Sequence, residues 1–119
     1  MLNLQEGIRV VAACGSGEEL LAECAEQIPD IVLMDINMRP MNGFQAAALL
    51  LEQYPSVRII GISINPETVY AQKLLQMGAK GFITKNAASE EMVNGIREVM
   101  NGKIYVCREV KARMRADGS

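Results

Sequence analysis

The chain has 119 residues, half of them apolar, and a formal net charge of −2. That length suits one domain around one core, the apolar share argues against disorder, and the charge and lack of Trp argue against a broad nucleic-acid surface. There is no histidine, which excludes Ser-His-Asp and Cys-His catalysis and the H-E-x-x-H metal site.

Any nucleophile or acid–base group must therefore be Asp, Glu, Lys, Ser, Thr, Tyr or Cys. The three cysteines, Cys14, Cys24 and Cys107, are scattered. An odd count with no C-x-x-C fits buried thiols in a reducing cytosol better than a disulfide framework. No apolar run reaches membrane-spanning length and no signal peptide is visible, so a cytoplasmic protein without a membrane partner is expected.

Ile8 to Ala13 is rich in β-branched residues and predicts a strand. Ser16-Gly17-Glu18-Glu19 is a capping box opening a helix to about Gln27, with Leu20, Leu21 and Cys24 on one face. After Pro29, the run Ile31-Val32-Leu33-Met34 predicts a second strand, apolar on both faces as in a sheet covered on both sides. Asp35 ends it. Asn42-Gly43 starts a helix carrying Phe44, Ala47, Ala48 and Leu51, and Tyr54-Pro55 ends it. Val57 to Ser63 predicts the third strand. Asn65-Pro66 starts a helix with Val69, Leu74, Leu75 and Met77, and Gly78 stops it. Gly81 to Thr84 is a short fourth strand, followed at once by Lys85. Ser89-Glu90-Glu91 opens a helix whose apolar set, Met92, Val93, Ile96, Val99 and Met100, has helical spacing. Gly102 closes it. The tail from Lys103 begins extended and turns helical around Val110 to Met114. No repeat or low-complexity segment is present.

Alternating strands and helices predict a parallel sheet with helices on both faces. Ligands of such sheets bind at the carboxyl ends of the strands. Here three successive strands end in an acid, a hydroxyl and an amine: Asp35, Ser63 and Lys85. A carboxylate can attack phosphorus to give an acyl phosphate, and the transferred group needs positive charge and a hydrogen-bond donor on its oxygens. Lys85 and Ser63 supply these. Each residue alone has a plainer reading: Asp35 caps the next loop, Ser63 sits in a turn, Lys85 is solvated. Their joint placement at consecutive strand ends favours the chemistry. Glu18 and Glu19 also follow a strand, but their capping role accounts for them.

The segments DIVLMDINMRPMNG (residues 30–43), RIIGIS, MGAKGFITK and SEEMVNGIREVMNGKIYV carry a resemblance over nearly the whole chain. The sequence resembles the receiver domain of two-component response regulators of the NarL/FixJ/UvrY type. That resemblance implies an α/β fold, a flavodoxin-like (CheY-like) doubly wound parallel sheet. By it, Asp35 is the phospho-acceptor, Ser63 the hydroxyl switch residue, Phe82 the aromatic switch residue and Lys85 the family's lysine. Asp35 and the backbone carbonyl of Asn37 match ligands for Mg2+. Two departures are mild: Arg39 stands where the family has proline, with Pro40 next, and Asn86 follows the lysine in place of proline.

A third departure is larger. Receivers begin with a strand ending in two adjacent acids, then a full helix, whereas Met1 to Gly7 resembles only the end of that helix. The family's strand order is 2-1-3-4-5, so the first strand is interior, and its loss leaves two unpaired apolar edges. Residues missing from the sequence, a start at an internal methionine, or a degenerate receiver repaired by rearrangement, swapping or dimerisation each account for this. With Asp35 as the only placed carboxylate, Mg2+ binding is expected to be weak or absent.

The resemblance implies a receiver domain over residues 1–106 and a linker or short helix over 107–119, not an enzyme with its own substrate. It would take its phosphoryl group from a sensor histidine kinase and switch the face of the family's fourth helix, fifth strand and fifth helix, here Tyr70, Lys73, Phe82 and residues 90–101. The output would be transcriptional, with DNA reached only through a downstream helix-turn-helix domain. Lys111, Arg113 and Arg115 would begin a solvated basic linker. A homodimer or swapped oligomer is expected. The alternative is a degenerate receiver acting as a phosphorylation-independent dimerisation or interaction module. A flavin or cobalamin carrier is disfavoured, because Cys14-Gly15-Ser16-Gly17 is too short for a phosphate loop and no histidine can ligate cobalt.

Overall fold

The computed structural model of the chain describes residues 10–13, 22, 24–36, 43–64 and 68–116. Strands β1 (Val10–Ala13), β2 (Ile31–Asp35), β3 (Arg58–Ser63), β4 (Gly81–Thr84) and β5 (Tyr105–Val106) alternate with helices. The helices are α1 (Gly43–Gln53), α2 (Thr68–Met77), α3 (Ser89–Met100) and α4 (Arg108–Ala116). Residues 22 and 24–26 are helical too, inside the segment that the Ser16 capping box was expected to open. The box itself, Ile8, Arg9, Cys14, Asn37 and Asn65-Pro66 lie outside the described residues.

All neighbouring strands are parallel, and the five stand in the order β1-β2-β3-β4-β5. The expectation of two open apolar edges is corrected here. β1 pairs directly with β2, from Val10 opposite Ile31 to Ala13 opposite Met34. The reason is the cost of burying an unpaired strand edge: every backbone N–H and C=O taken from water needs a partner. β2 is apolar on both faces, so its outer edge is satisfied by the nearest strand of the same chain.

Side-chain alternation assigns the helices to faces. A Cβ on Gly61 of β3 would run into Leu74 of α2 and approach Phe82 of β4. A Cβ on Gly95 of α3 would instead meet Ile83, the next residue along β4. Adjacent strand residues point to opposite faces, so α2 and α3 cover opposite faces. α1 shares the α2 face, where the Phe44 and Tyr70 rings lie 5.9 Å apart. β5 continues the same lateral march while α3 crosses on the other face. The β4-α3-β5 connection therefore has the opposite hand to β2-α1-β3 and β3-α2-β4, against the strong preference for one hand. A strand of two residues makes this tolerable, since little twist has to be matched.

The buried stripe of each helix differs in detail from the sequence expectation. In α1 it is Ala46, Ala47 and Leu50, with Ala48 exposed; in α2 it is Ala71 and Leu74, with Val69 exposed. In α3, Gly95, Ile96 and Val99 are buried, and Met92, Val93 and Met100 half-buried. Ala88, not Ser89, holds the α3 cap position, without a side-chain cap bond. Gly78 ends α2 at φ +111°, a conformation that suits glycine.

The larger surprise is the tail. Tyr105–Val106 is a paired strand, and α4 begins at Arg108, ahead of the expected Val110. Cys107 and Val110 join the core, while Lys111, Arg113 and Arg115 stay exposed, as a solvated basic stretch should. Cys24 and Cys107 are buried, and neither is joined in a disulfide. Glu91, in the first turn of α3, fixes the start of this segment: its Oε2 accepts from Tyr105 Oη at 2.7 Å and from the Arg108 N–H at 2.8 Å. Burial, then the bond to Glu91, pushes the Tyr105 hydroxyl up to about 12.

Gly95→Ala should lower the urea midpoint by the equivalent of roughly 1 kcal/mol. The added methyl lies 2.8 Å from Ile83 and Tyr105, and overpacking of about 1–3 kcal/mol outweighs the helix-propensity gain of about 1 kcal/mol. Because the folded state holds the Tyr105 proton more tightly than the unfolded chain, its contribution is complete below pH 10 and is lost as pH rises toward 12. Urea melts of Tyr105→Phe should therefore fall less steeply than those of the parent across that window.

Candidate functional site

The carboxyl ends of β2, β3 and β4 lie side by side because the strands are parallel and in register: Asp35 opposite Ile62, Ser63 opposite Thr84. Two backbone bonds carry the ladder past the strand ends, Ile36 N–H to Ile62 O at 3.1 Å and Lys85 N–H to Ser63 O at 2.8 Å. They fix the backbone on either side of the ends where side-chain chemistry is placed.

Alternation puts Asp35 on the α3 face with Ile31 and Leu33, and Lys85 on the same face with Gly81 and Ile83. Lys85 then reaches across the end of β3, and its Nζ donates to Asp35 Oδ2 at 2.7 Å. Both remain partly open, with side-chain exposures of 22% for Asp35 and 42% for Lys85. A pair this wet is worth no more than about 1 kcal/mol to folding, and a reagent from solvent can reach it.

Ser63 and Phe82 are placed differently. Ser63 is fully buried and continues the opposite face with Ile59 and Gly61. Phe82 is also fully buried; β5 pairs alongside it, and the Cys107 N–H donates to its carbonyl at 3.0 Å. Tyr70 and Lys73 turn toward α1: the Lys73 ammonium stands 4.4 Å above the Phe44 ring, a cation–π contact. The face expected from Tyr70, Lys73, Phe82 and residues 90–101 is thus divided, with Phe82 inside it covered by the chain's own tail.

One cluster was not legible in advance. Thr84 Oγ1 donates to Glu109 Oε1 at 3.5 Å, and Cys107 Sγ lies 4.0 Å from Thr84 Oγ1. Strand alternation would have shown Thr84 facing opposite to Lys85, but no local signal joins it to a residue 25 positions later.

The family that the sequence resembles generally binds Mg2+ at an acidic pocket, and that ion takes six oxygen ligands with several waters among them. Among the described residues, no group of three or more His, Cys, Asp and Glu side chains could hold a metal. A single carboxylate already bound by an ammonium group does not fit that ion. The Asn37 carbonyl lies outside the described residues. A cavity of about 560 Å³ lined by Leu51, Val57, Arg58, Met77 and Lys80 opens at the amino ends of β3 and β4, far from Asp35.

Comparison with known proteins places this geometry. Residues 1–97 match the response regulator receiver domain. The chain belongs to that family. It is 36% identical over 109 residues to the response regulator GacA of Pseudomonas viridiflava and 32% identical to the response regulator UvrY of Escherichia coli K12. Each comparison takes in 92% of this chain, which spans about half the length of those relatives, 51% and 50%. Among solved structures, a LuxR-family two-component response regulator from Aurantimonas sp. superposes with a TM-score of 0.81 at 22% identity, over 86% of this chain and 73% of that one. The receiver domain of a putative response regulator NarL from Mycobacterium tuberculosis superposes with 0.70 at 25% identity, over 83% and 100%. The flavodoxin-like receiver fold expected from the sequence is therefore the fold observed, in a sheet closed up between β1 and β2. No helix among the described residues is long and apolar enough to cross a membrane.

Replacing Lys85 by methionine should change the unfolding free energy by less than about 1 kcal/mol, because the pair is solvent-exposed. Urea unfolding of the parent and variant checks this and separates a role in chemistry from one in folding.

Proposed function

We propose that this receiver accepts a phosphoryl group on Asp35 from a sensor histidine kinase and uses Ser63, Phe82 and Lys85 to sense it. The observation that carries the reading is the 2.7 Å contact between Lys85 Nζ and Asp35 Oδ2 at the open end of the sheet. An Asp35 oxygen attacks phosphorus, and the bond from phosphorus to the kinase imidazole breaks. The imidazole leaves with that electron pair, taking a proton from solvent. The product is an acyl phosphate. An ammonium group has three donors, so Lys85 can hold the carboxylate and also neutralise phosphoryl oxygens as charge gathers on them. Ser63 follows Ile62, the register partner of Asp35, so its hydroxyl would turn from the opposite face toward that group, and a turn of a fully buried side chain must move what packs around it.

In this reading the unit is cytoplasmic, with its receiver part over residues 1–106 and residues 107–119 leading to a DNA-binding output. It is not an enzyme with a substrate of its own. Phosphorylation would favour a homodimer. No step here is assigned to Mg2+, since the described residues do not build its site. That same lack of converging acids favours a second reading, a phosphorylation-independent interaction module.

The two are separated by the intact mass of the chain incubated with acetyl phosphate, with and without Mg2+. The first reading expects the mass of one phosphoryl group to be added, and none in Asp35→Asn. In Lys85→Met, the loss of one charge-assisted contact of about 1.5–3 kcal/mol should slow the reaction roughly tenfold or more. An unmodified parent chain, dimeric with or without the donor, would establish the interaction module instead.

A further inference from the structure

We propose that the cavity at the amino ends of β3 and β4 is a binding site for a small organic acid, one carboxylate on a short apolar body. It is separate from the Asp35–Lys85 pair, which stands at the opposite, carboxyl end of the sheet. The inference does not rest on the phospho-acceptor reading of Asp35.

The cavity forms where α1 and α2 both end, because helices that link parallel strands run back to the strands' amino ends. Its volume of about 560 Å³ lies within the ordinary range for ligand pockets. Val57 is its buried apolar wall, with Leu51 and Met77 half-buried beside it. The flexible thioether of Met77 can follow the shape of a guest. Gly78 lets the two helix ends approach: a Cβ there would stand 3.3 Å from Leu51 Cδ1. Backbone bonds fix the rim, from the Val57 N–H to Tyr54 O at 3.0 Å, the Ala79 N–H to Leu74 O at 3.0 Å and the Lys80 N–H to Ile59 O at 2.8 Å. A ligand therefore meets walls already in place and costs little ordering on binding.

Charge sets the kind of guest. Arg58 and Lys80 line the cavity and no acidic residue does, in a chain whose net charge is −2. Lys73, Lys85 and Lys103 are each engaged, on the Phe44 ring, Asp35 and Glu98. Among the described residues, Arg58 and Lys80 have no such partner. Strand alternation puts Lys80 on the α2 face with Phe82, and Val57 on that face with Ile59, so the ammonium and the apolar wall share one side. Arg58, first in β3, lines the same mouth, and the Ser56 hydroxyl can add a hydrogen bond. The ends of α1 and α2 carry partial negative charge, and neither helix has a basic residue in its last turn. Arg58 and Lys80 offset those ends and can also meet one negative charge on a ligand. A second negative charge would face the helix ends themselves. That favours a carboxylate over a phosphate dianion, and the apolar walls favour a carboxylate with a hydrocarbon tail.

The test titrates the full chain with hexanoate and follows backbone amide chemical shifts, with the thermal unfolding midpoint as a second readout. Saturable shifts are expected around Val57, Gly78 and Lys80, at roughly millimolar affinity for so small a ligand, with a midpoint that rises with hexanoate by mass action. Acetate, hexanol, hexylamine and hexyl phosphate should each bind about tenfold more weakly or less, since each lacks one matched contact. Lys80→Gln should weaken hexanoate about tenfold and leave hexanol unchanged; Arg58→Gln should weaken it by a smaller factor. Lys80 is exposed, so its variant keeps the fold, and the midpoint without hexanoate checks this. Hexanoate shifts that do not saturate, or that are the same in Lys80→Gln, would overturn the site. Acetate binding as tightly as hexanoate would overturn the apolar part of the assignment. Hexanol or hexylamine doing so would overturn the role of charge, and hexyl phosphate doing so would overturn the choice of carboxylate.

Discussion

A parallel strand buried on both faces has no outlet for its backbone polar groups except its neighbours. That constraint organises this chain. β2 carries Asp35 and is apolar from Ile31 to Met34, so both of its edges must be paired before its faces can be covered. β3 pairs one edge and β1 the other. Once β2, β3 and β4 are locked in register, their last residues have fixed positions. Asp35 and Lys85 fall on the same face, close enough for a direct ion pair. The chemistry proposed for Asp35 is a consequence of hydrogen-bond closure in the sheet rather than of any interaction local to the site.

The same constraint acts at the other side of the sheet. β4 is buried at all four positions, yet it would be an edge if the chain ended after α3. An apolar open edge is a liability for pairing with other chains. β5 covers it with the minimum of structure, two residues, and α4 then folds back over α2. The connection is made with the unfavoured hand, which suits a short strand that pairs only with the first half of β4. Its position puts Glu109 against Thr84, and so places the last helix one residue from the ion pair.

Stability and the proposed function therefore rest on different groups. The core of Ile31, Val32, Ile59, Ile60, Leu74, Phe82, Ile83 and Ile96 holds the fold. The polar contacts around it, Asp35–Lys85, Thr84–Glu109 and Glu91 with Tyr105 and Arg108, are partly exposed and contribute little to it. Groups of that kind can change partners without unfolding the domain, as a signalling site requires. Asp35–Lys85 and Thr84–Glu109 join segments 50 and 25 residues apart, while Glu91 ties α3 to the tail that follows it.

Much of this was legible in the residues themselves. Apolar runs of four to six between turn signals gave β2, β3 and β4, and helical spacing gave α3, because both signals are local. Asp35, Ser63 and Lys85 stood out as polar groups directly after those runs, and parallel order is enough to place such residues at one end of a sheet. Local pattern could not decide which strand would fill the place beside β2, since pairing partners are chosen by what else needs covering. Nor could it show that Tyr105–Val106 would join β4, because two residues carry no period, or that Thr84 would find Glu109 and Glu91 would hold Tyr105. Phe82 was named from resemblance, and only the fold shows it fully buried with its backbone paired to β5. The sequence by itself determined the elements and the polar groups at their ends. Tertiary structure decided which edges closed and which of those groups met, because backbone hydrogen bonds in a parallel sheet are satisfied only between segments distant in the chain.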